Sequence, residues 1–281
     1  MSSAAANLFS VNGKNVLVTG SSRGIGLMIA SGFASAGANV LITSRDESAC
    51  REAAESIQKS FSGPKVHYVA SNVGSREGCK VLARYTNELF DGKLDVLVNN
   101  AGTSWGEDPY DRESGKANWG WDKVMDLNVK GMFYLSRECV PMLERSISGE
   151  KEGKCDPGRI INIGSIAGII TQEAPTHAYD VSKAAVHHLT RKMAADLASM
   201  QITVNAIAPG YVPSRMSQGL NNYTGGADKI SSSIPLKRMG DDDDMAGAAI
   251  YLSSRASSWM TGVILNVDGG ACTIQMPLSS L

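Results

Sequence analysis

In the stretch HAYDVSKAAVHHL, residues 177–189, a tyrosine stands four positions before a lysine where an amphipathic helical pattern begins. At helical spacing Tyr179 and Lys183 share a face about one turn apart, so an ammonium can sit beside a phenol. A free phenol titrates near pH 10, and at pH 7 only about a thousandth of it is phenolate. A neighbouring ammonium lowers that value toward the working range of a general acid or base. Taken alone, such a pair is more commonly a half-buried aromatic beside a solvated surface charge.

A second cluster lies near the N-terminus. VLVTGSSRGIGLMIA, from Val16, sets Gly20, Gly24 and Gly26 between an apolar run and a helical pattern. A glycine at a strand exit permits a tight turn, and later glycines let backbone approach a pyrophosphate resting on helix N–H groups. Glycines also punctuate ordinary turns, but here the strand before and the helix after are both present. The next apolar run, NVLITSRD, ends where the adenosine ribose of a dinucleotide would lie, with Thr43, Ser44 and Arg45 in that place and Arg23 in the glycine loop. Two guanidiniums and a hydroxyl suit a 2′-phosphate, so the pattern favours NADPH over NADH. Asp46 admits two readings, a ribose ligand or the cap of a helix beginning at Glu47.

The elements that position these groups alternate. NVLVTG from Asn15, NVLIT from Asn39, KVHYV from Lys65, LDVLVNN from Leu94, RIINIGS from Arg159, ITVNAIAPG from Ile202 and VILNVDGG from Val263 are short, mostly β-branched runs that read as buried strands. Helical patterns fall between them, near 24–36, 47–60, 76–90, 121–144, 179–199 and 243–253. Strand alternating with helix means right-handed crossovers and a parallel sheet covered on both faces. No linker, internal repeat or low-complexity block divides the pattern, so one domain over 1–281 is expected, with 1–11 as a flexible tail. Segments 103–118 and 211–234 interrupt the rhythm after strands, on the side where ligands bind open sheets, and are candidate substrate loops. Segment 146–157 follows a helix and leads into a strand, and is expected as a solvated excursion without function.

Composition excludes other classes. With 281 residues and 43% hydrophobic content there is material for a sizeable core, and a formal net charge of −1 leaves no basic field for nucleic acid or an anionic membrane surface. The five cysteines are widely spaced and form no CxxC, which fits reduced thiols in a cytoplasmic setting rather than disulfides or zinc. The N-terminus carries no signal-like or transit-like pattern, and no apolar run reaches membrane-spanning length.

Together with NNAG at residues 99–102, these motifs resemble the compact branch of the short-chain dehydrogenase/reductase family over about residues 14–270. The resemblance implies an α/β fold, a single-domain Rossmann-type doubly wound parallel sheet of about seven strands with helices on both faces, and NADP(H) as cofactor. The family's catalytic set maps onto Asn128 in MDLNVKG, Ser165 in INIGSIAG, Tyr179 and Lys183. Tyr179 would protonate the developing alkoxide, Ser165 would hydrogen-bond the same oxygen, Lys183 would also bind the nicotinamide ribose, and Asn128 would hold a proton-relaying water. Standing alone, Asn128 reads as a residue satisfying helix backbone and Ser165 as a strand-end turn former. Cofactor contacts are implied at Gly20, Ser22, Arg23, Gly24, Ile25, Gly26, Ser44, Arg45, Asn72, Val73, Asn99, Ala101, Gly102, Pro209, Gly210, Val212 and Ser214, besides Tyr179 and Lys183. Asn72 stands where the family often has an acidic residue, and Ser214 where threonine is more usual. NNAGTSWG, INIGSIAGI, APGYVPSRM and SIPLKRMG resemble in particular the 3-oxoacyl-[acyl-carrier-protein] reductases, the rhamnolipid-linked branch among them.

The expected substrate is a ketone, as a 3-oxoacyl thioester or a bulky hydrophobic secondary-metabolite ketone, with Trp105, His177, Tyr211 and Met216 as candidate contacts. Tyr110, Leu220 and Tyr223 also fall in the candidate loops, where aromatics serve as pocket walls or as loop anchors. An alcohol or polyol dehydrogenase running the same chemistry oxidatively, and a non-catalytic NADP(H)-sensing regulator, are the alternatives; a sensor has no need of a proton donor beside a polarising lysine. The family also implies a homodimer or homotetramer through the helices from Trp121 and Tyr179. GDDDDMA at 240–246 reads as a helix cap with charge at the positive end of the dipole, not as a metal site. His187 and His188 point about 100° apart and read as packing or interface residues.

Overall fold

Seven apolar runs become seven strands because each is short, β-branched and closed by a turn former. They are β1 (Asn15–Thr19), β2 (Asn39–Ser44), β3 (His67–Ala70), β4 (Val96–Asn99), β5 (Gly158–Ile163), β6 (Ile202–Pro209) and β7 (Ile264–Val267). In this computed structural model, which describes residues 7–106, 108, 110, 119–148, 155–171, 174–214 and 226–273, they form one sheet in the order β3-β2-β1-β4-β5-β6-β7. All pairs are parallel, with Val16 opposite both Val40 and Val96. The strand order reverses between β1 and β4, and the crevice at their carboxyl ends is where an open sheet of this kind receives ligands.

Alternation along the strands feeds two cores. Val16, Val18, Val40 and Ile42 face α1 (Gly24–Ser35) and α2 (Glu47–Ser60), in a cluster with Met245 and Leu252. Leu17, Leu41, Leu97 and Ile160 face the other way, onto α3 (Arg76–Leu89), α5 (Met132–Ser146) and α6 (His177–Leu197). The inner strands β4, β5 and β6 are buried throughout, whereas the edge strands β3 and β7 are only partly covered. Among the described residues no helix is long and apolar enough to cross a membrane.

Four expectations change. The helix expected at 121–144 is α4 (Trp119–Met125), a wide π turn (Asp126–Gly131) and then α5. At Gly131 a Cβ would lie 3.1 Å from the carbonyl carbon of Val73, so backbone from the β3–α3 connection presses on the helix where it widens. Segment 211–234 carries a short helix, α7 (Ala227–Ser233), before α8 (Asp242–Ser253). The end of the expected 1–11 tail is anchored, because Val11 is only 1% exposed within the first core and the Phe9 ring lies 6.3 Å from that of Tyr251. The 146–157 excursion is likewise tied down at its end, where Asp156 pairs with Ser148 in an antiparallel bridge. The acidic run behaves as expected: Asp241 caps α8 in a reciprocal capping box with Asp244, and Arg238 pairs with Asp244.

Asp156 has a second task. Its carboxylate accepts from Lys14 Nζ at 2.6 Å and from the Arg159 guanidinium, which is 1% exposed and also donates to the carbonyls of Pro157 and Ser254. Burial alone would raise the Asp156 carboxyl, but Arg159 and Lys14 outweigh it and hold it below the usual value. A depressed carboxyl contributes stability above its unfolded pKa and loses it as pH falls through the folded one. Asp156→Ala leaves a buried guanidinium without its counter-charge, and is expected to cost about 3 kcal/mol in urea unfolding at pH 7. A loss below about 0.5 kcal/mol would mean that the other carbonyls suffice for Arg159.

Candidate active site

The glycine loop is shaped by close approach. Gly20 (φ +63°) turns the chain out of β1, where a Cβ would lie 2.8 Å from the Cα of Ala101. A Cβ at Gly26 would lie 2.5 Å from the carbonyl oxygen of Gly20 and also meet the Asn100 amide. Asn100 Nδ2 donates to the carbonyls of Thr19 (2.8 Å) and Gly20 (3.0 Å), and Thr19 Oγ1 accepts from the N–H groups of Asn100 and Ala101. The loop is thus bolted to the end of β4. Arg23, at the helix N-cap, makes no side-chain cap on the first-turn N–H groups of α1, the groups that an anion at a helix N-terminus uses. Arg23 and Arg45 both line the cleft above this loop, and among the described residues neither forms an ion pair. Asp46 is a cap: its Oδ1 accepts from Ala49 N at 3.1 Å. The cradle and its free guanidiniums therefore fit a phosphorylated dinucleotide.

The cleft measures about 530 Å³ and runs from Arg23 and Arg45 to Tyr179 and Lys183. Of the expected cofactor residues, Gly20, Ser22, Arg23, Gly24, Ile25, Ser44, Arg45, Asn72, Val73, Ala101, Gly102, Pro209, Gly210, Val212 and Ser214 line it. Gly26 and Asn99 do not. Gly26 acts from behind the loop, and the Asn99 side chain is engaged inside the protein, its Nδ2 donating to Ser136 Oγ (2.8 Å) and Asn162 Oδ1 (2.9 Å). Asn162 Nδ2 in turn donates to Thr190 Oγ1 at 2.9 Å, so this buried ladder ties α5 and α6 to the sheet. Asn100 is the asparagine that faces the cleft. The residues beside it that motif reasoning missed include Ser104, Leu127, Ile166 and Thr176, and only Thr176, just ahead of α6, carried a signal as a helix-start residue.

At the nicotinamide end, α6 lies against the end of β5. Lys183 is 6% exposed, and its Nζ donates to the carbonyl of Ile163 at 2.7 Å while lying 5.5 Å from the centre of the Tyr179 ring. Ser165 follows β5; its Oγ accepts from Ala167 N at 3.1 Å, capping the short 3-10 turn Ile166–Gly168, and its hydroxyl is a hydrogen-bond partner of the Tyr179 phenol. Asn128 sits in the π turn. Its Oδ1 accepts from Thr103 N (2.8 Å) and its Nδ2 donates to Thr103 O (2.9 Å) and Ser182 Oγ (3.0 Å), while Ser182 Oγ donates to the carbonyl of Tyr179 (2.7 Å). Both amide hydrogens of Asn128 are engaged, and its side chain braces α6 instead of lining the cleft.

The electrostatics differ from the expected ammonium effect. Burial raises the Tyr179 phenol, the Ser165 hydrogen bond lowers it and Asp180 raises it, with a net rise. Burial alone brings Lys183 down to about 8. With its ammonium on the Ile163 carbonyl, Lys183 does not offset desolvation of the phenol, which stays protonated.

The expected substrate contacts separate. Tyr211 lines the cleft. Trp105 does not: it packs on Gly120, where a Cβ would come 2.6 Å from its Cγ, and lies under the Lys123 ammonium at 5.1 Å. His177 is exposed and stands edge-on to Tyr110 at 6.4 Å, outside the cleft lining. Met216, Leu220 and Tyr223 lie outside the described residues.

The family model described as enoyl-(acyl carrier protein) reductase matches residues 20–272. The rhamnolipids biosynthesis 3-oxoacyl-[acyl-carrier-protein] reductase of Pseudomonas aeruginosa is 43% identical, over 93% of this chain and 97% of its own. Galactitol 2-dehydrogenase of Rhizobium johnstonii is 35% identical over 93% of this chain and 96% of its own. Among solved structures, the RhlG/NADP active-site complex of Pseudomonas aeruginosa superposes with a TM-score of 0.84 and 42% identity, covering 94% of this chain and 98% of that one. Likeness of this extent reaches from the glycine cradle through the last strand, and the chain belongs to the short-chain dehydrogenase/reductase family.

Proposed function

We propose that the chain is an NADP-dependent ketone reductase in which Tyr179 protonates the carbonyl oxygen of a 3-oxoacyl thioester or a similarly hydrophobic ketone. The observation that carries this reading is the phenol itself: it is hydrogen-bonded to Ser165, it faces the same cleft as the glycine cradle, and burial raises it still further above neutral pH. A protonated phenol is the form that a general acid needs. When bound, NADPH supplies the hydride equivalent for the carbonyl carbon. The chain's residues do the rest: the first-turn N–H groups of α1 would hold the pyrophosphate, and Arg23 and Arg45 the 2′-phosphate, with the Asp46 carboxylate engaged by Ala49 N. Ser165 and Tyr179 together present two hydroxyls to an oxygen that gains charge, an oxyanion-type stabilisation. The rhamnolipid-linked relative supports the thioester, while the galactitol dehydrogenase relative supports a polyol run oxidatively by the same residues. All five cysteines are free, as suits a reducing, cytoplasmic setting. Phe133 on α5 and Val181 on α6 are exposed at 39% and 48%, which supports assembly as a homodimer or homotetramer through these helices.

NADPH consumption against a 3-oxoacyl thioester, a ring ketone, an aromatic ketone and a keto-sugar tests the substrate class. Preferential turnover of the thioester is expected; turnover of the keto-sugar alone would make the polyol reading the correct one. Tyr179→Phe is expected to lower kcat by about 10²–10⁴ while leaving NADPH affinity within about twofold, and full turnover by this variant would remove the proposed acid. Because kcat/KM reports ionisations of the free enzyme, reduction is expected to decline above about pH 8 as Lys183 loses its proton. A profile flat through pH 9 would mean that the Lys183 charge, held on the Ile163 carbonyl, does not bear on turnover. Arg45→Ala is expected to weaken NADPH binding by about tenfold or more and leave NADH binding unchanged, read by fluorescence titration; equal losses for both cofactors would overturn the 2′-phosphate assignment.

A further inference from the structure

His187 has no part in the chemistry described so far. It extends the row of Tyr179 and Lys183 by one more turn of α6 and is 4% exposed, while His188 beside it faces solvent. Its Nε2 is buried without a hydrogen-bond partner among the described residues.

Two glycines bracket the turn that carries Ser165, and both are pressed against α6. At Gly168 a Cβ would lie 2.5 Å from the carbonyl carbon of Lys183 and 2.6 Å from the amide nitrogen of Ala184. At Gly164 it would run into the His187 ring, 2.7 Å from Cδ2. The segment 164–168 therefore rests on helix backbone at one end and on the imidazole at the other. The Gly168 carbonyl is the backbone hydrogen-bond partner of that imidazole. With Nε2 unpaired, Nδ1–H is left to face it.

We propose that His187 is a positioning residue: its imidazole seats the 164–168 turn on α6 and so holds the Ser165 hydroxyl against the Tyr179 phenol. This inference rests on Tyr179 being the proton donor. Its consequence is electrostatic, because the Ser165 hydrogen bond is the influence that lowers the Tyr179 phenol against burial and Asp180. If the turn drifts, that hydrogen bond lengthens and the phenol rises further. The charged groups acting here are Asp180 on Tyr179, and Lys183 and Arg191 on His187, all on α6; the turn offers only the uncharged Ser165 hydroxyl and Gly168 carbonyl, and β5 the Ile163 carbonyl that takes Lys183. Burial, then Lys183 and Arg191, bring His187 down to about 4, so it stays neutral at working pH and acts as a fixed support.

The test uses the full chain with His187→Leu, which keeps much of the volume without an N–H, and His187→Asn, which keeps a donor near the Nδ1 position. Ser165→Ala and Tyr179→Phe serve as references. Four readouts are taken: NADPH affinity by fluorescence, kcat and KM for ketone reduction, the pH midpoint of alcohol oxidation, and Tm. His187→Leu is expected to lower kcat about tenfold with NADPH affinity unchanged. Its oxidative midpoint should move upward, toward that of Ser165→Ala, and His187→Asn should recover most of kcat and return the midpoint. A His187→Leu protein with lower Tm but wild-type kcat and midpoint would overturn the proposal. If that variant does not fold, His187→Asn decides: a midpoint as high as that of Ser165→Ala would overturn it, and a wild-type midpoint supports it. Full turnover by Tyr179→Phe would overturn the proton-donor reading itself, a failure distinct from a silent His187 series beside an inactive Tyr179→Phe.

Discussion

An ammonium taken out of water must be given an oxygen, or the helix that carries it will not stay packed. Lys183 is given the carbonyl of Ile163, the last residue of β5, and that bond joins the first turns of α6 to the mouth of the sheet. Position then propagates in both directions. Toward the turn, Gly164 and Gly168 allow a contact that no side chain could share, which brings Ser165 to the phenol one helical turn from Lys183. Toward the π turn, Ser182 takes an Asn128 amide hydrogen and joins the helix to the Thr103 backbone. Ser165, Tyr179 and Asn128 come from the turn after β5, from α6 and from the π turn, yet they are placed by a short set of buried bonds near one lysine.

The other half of the cleft is built on a different constraint, the approach of the glycine loop to the end of β4. Asn100 holds that loop with its amide, and Thr19 returns the grip through its hydroxyl. The two halves meet across the switch point of the sheet, so an extended dinucleotide can reach from the guanidiniums to the phenol. Deep to both runs the ladder Ser136–Asn99–Asn162–Thr190, bonded in the interior, which fixes α5 and α6 to β4 and β5.

Much of this was legible in the sequence because it depends on local pattern. Buried parallel strands need continuous apolar runs, a phosphate cradle needs glycines between strand and helix, and a phenol–ammonium pair needs helical spacing; each left its mark at the residues where it is found. What was not legible depends on which way a side chain turns in three dimensions. Asn99 and Asn100 are adjacent and chemically identical, and only strand pleat and the helices behind it decide which faces the cleft. Asp46 had two readings, and the α2 amide of Ala49 takes one oxygen of its carboxylate while the residue also lines the cleft. The π turn around Asn128 arises where backbone from another connection meets Gly131, a long-range contact with no local signature. Trp105, a candidate substrate contact, packs on Gly120 and lies under the Lys123 ammonium, contacts that loop composition alone does not signal. The Tyr179 phenol is higher than spacing alone implied because burial, which a sequence does not quantify, outweighs a neighbouring charge that is already engaged.

The proposed reaction moves a hydride equivalent onto a ketone carbon in this cleft while the chain supplies the proton. A single turnover of a 3-oxoacyl thioester with NADPH carrying deuterium at both nicotinamide C4 positions, followed by mass spectrometry of the product, is the test. A 3-hydroxyacyl product with deuterium on the carbinol carbon, one per cofactor consumed, is expected. Cofactor that binds but leaves no deuterium in this or any other ketone tested would contradict it.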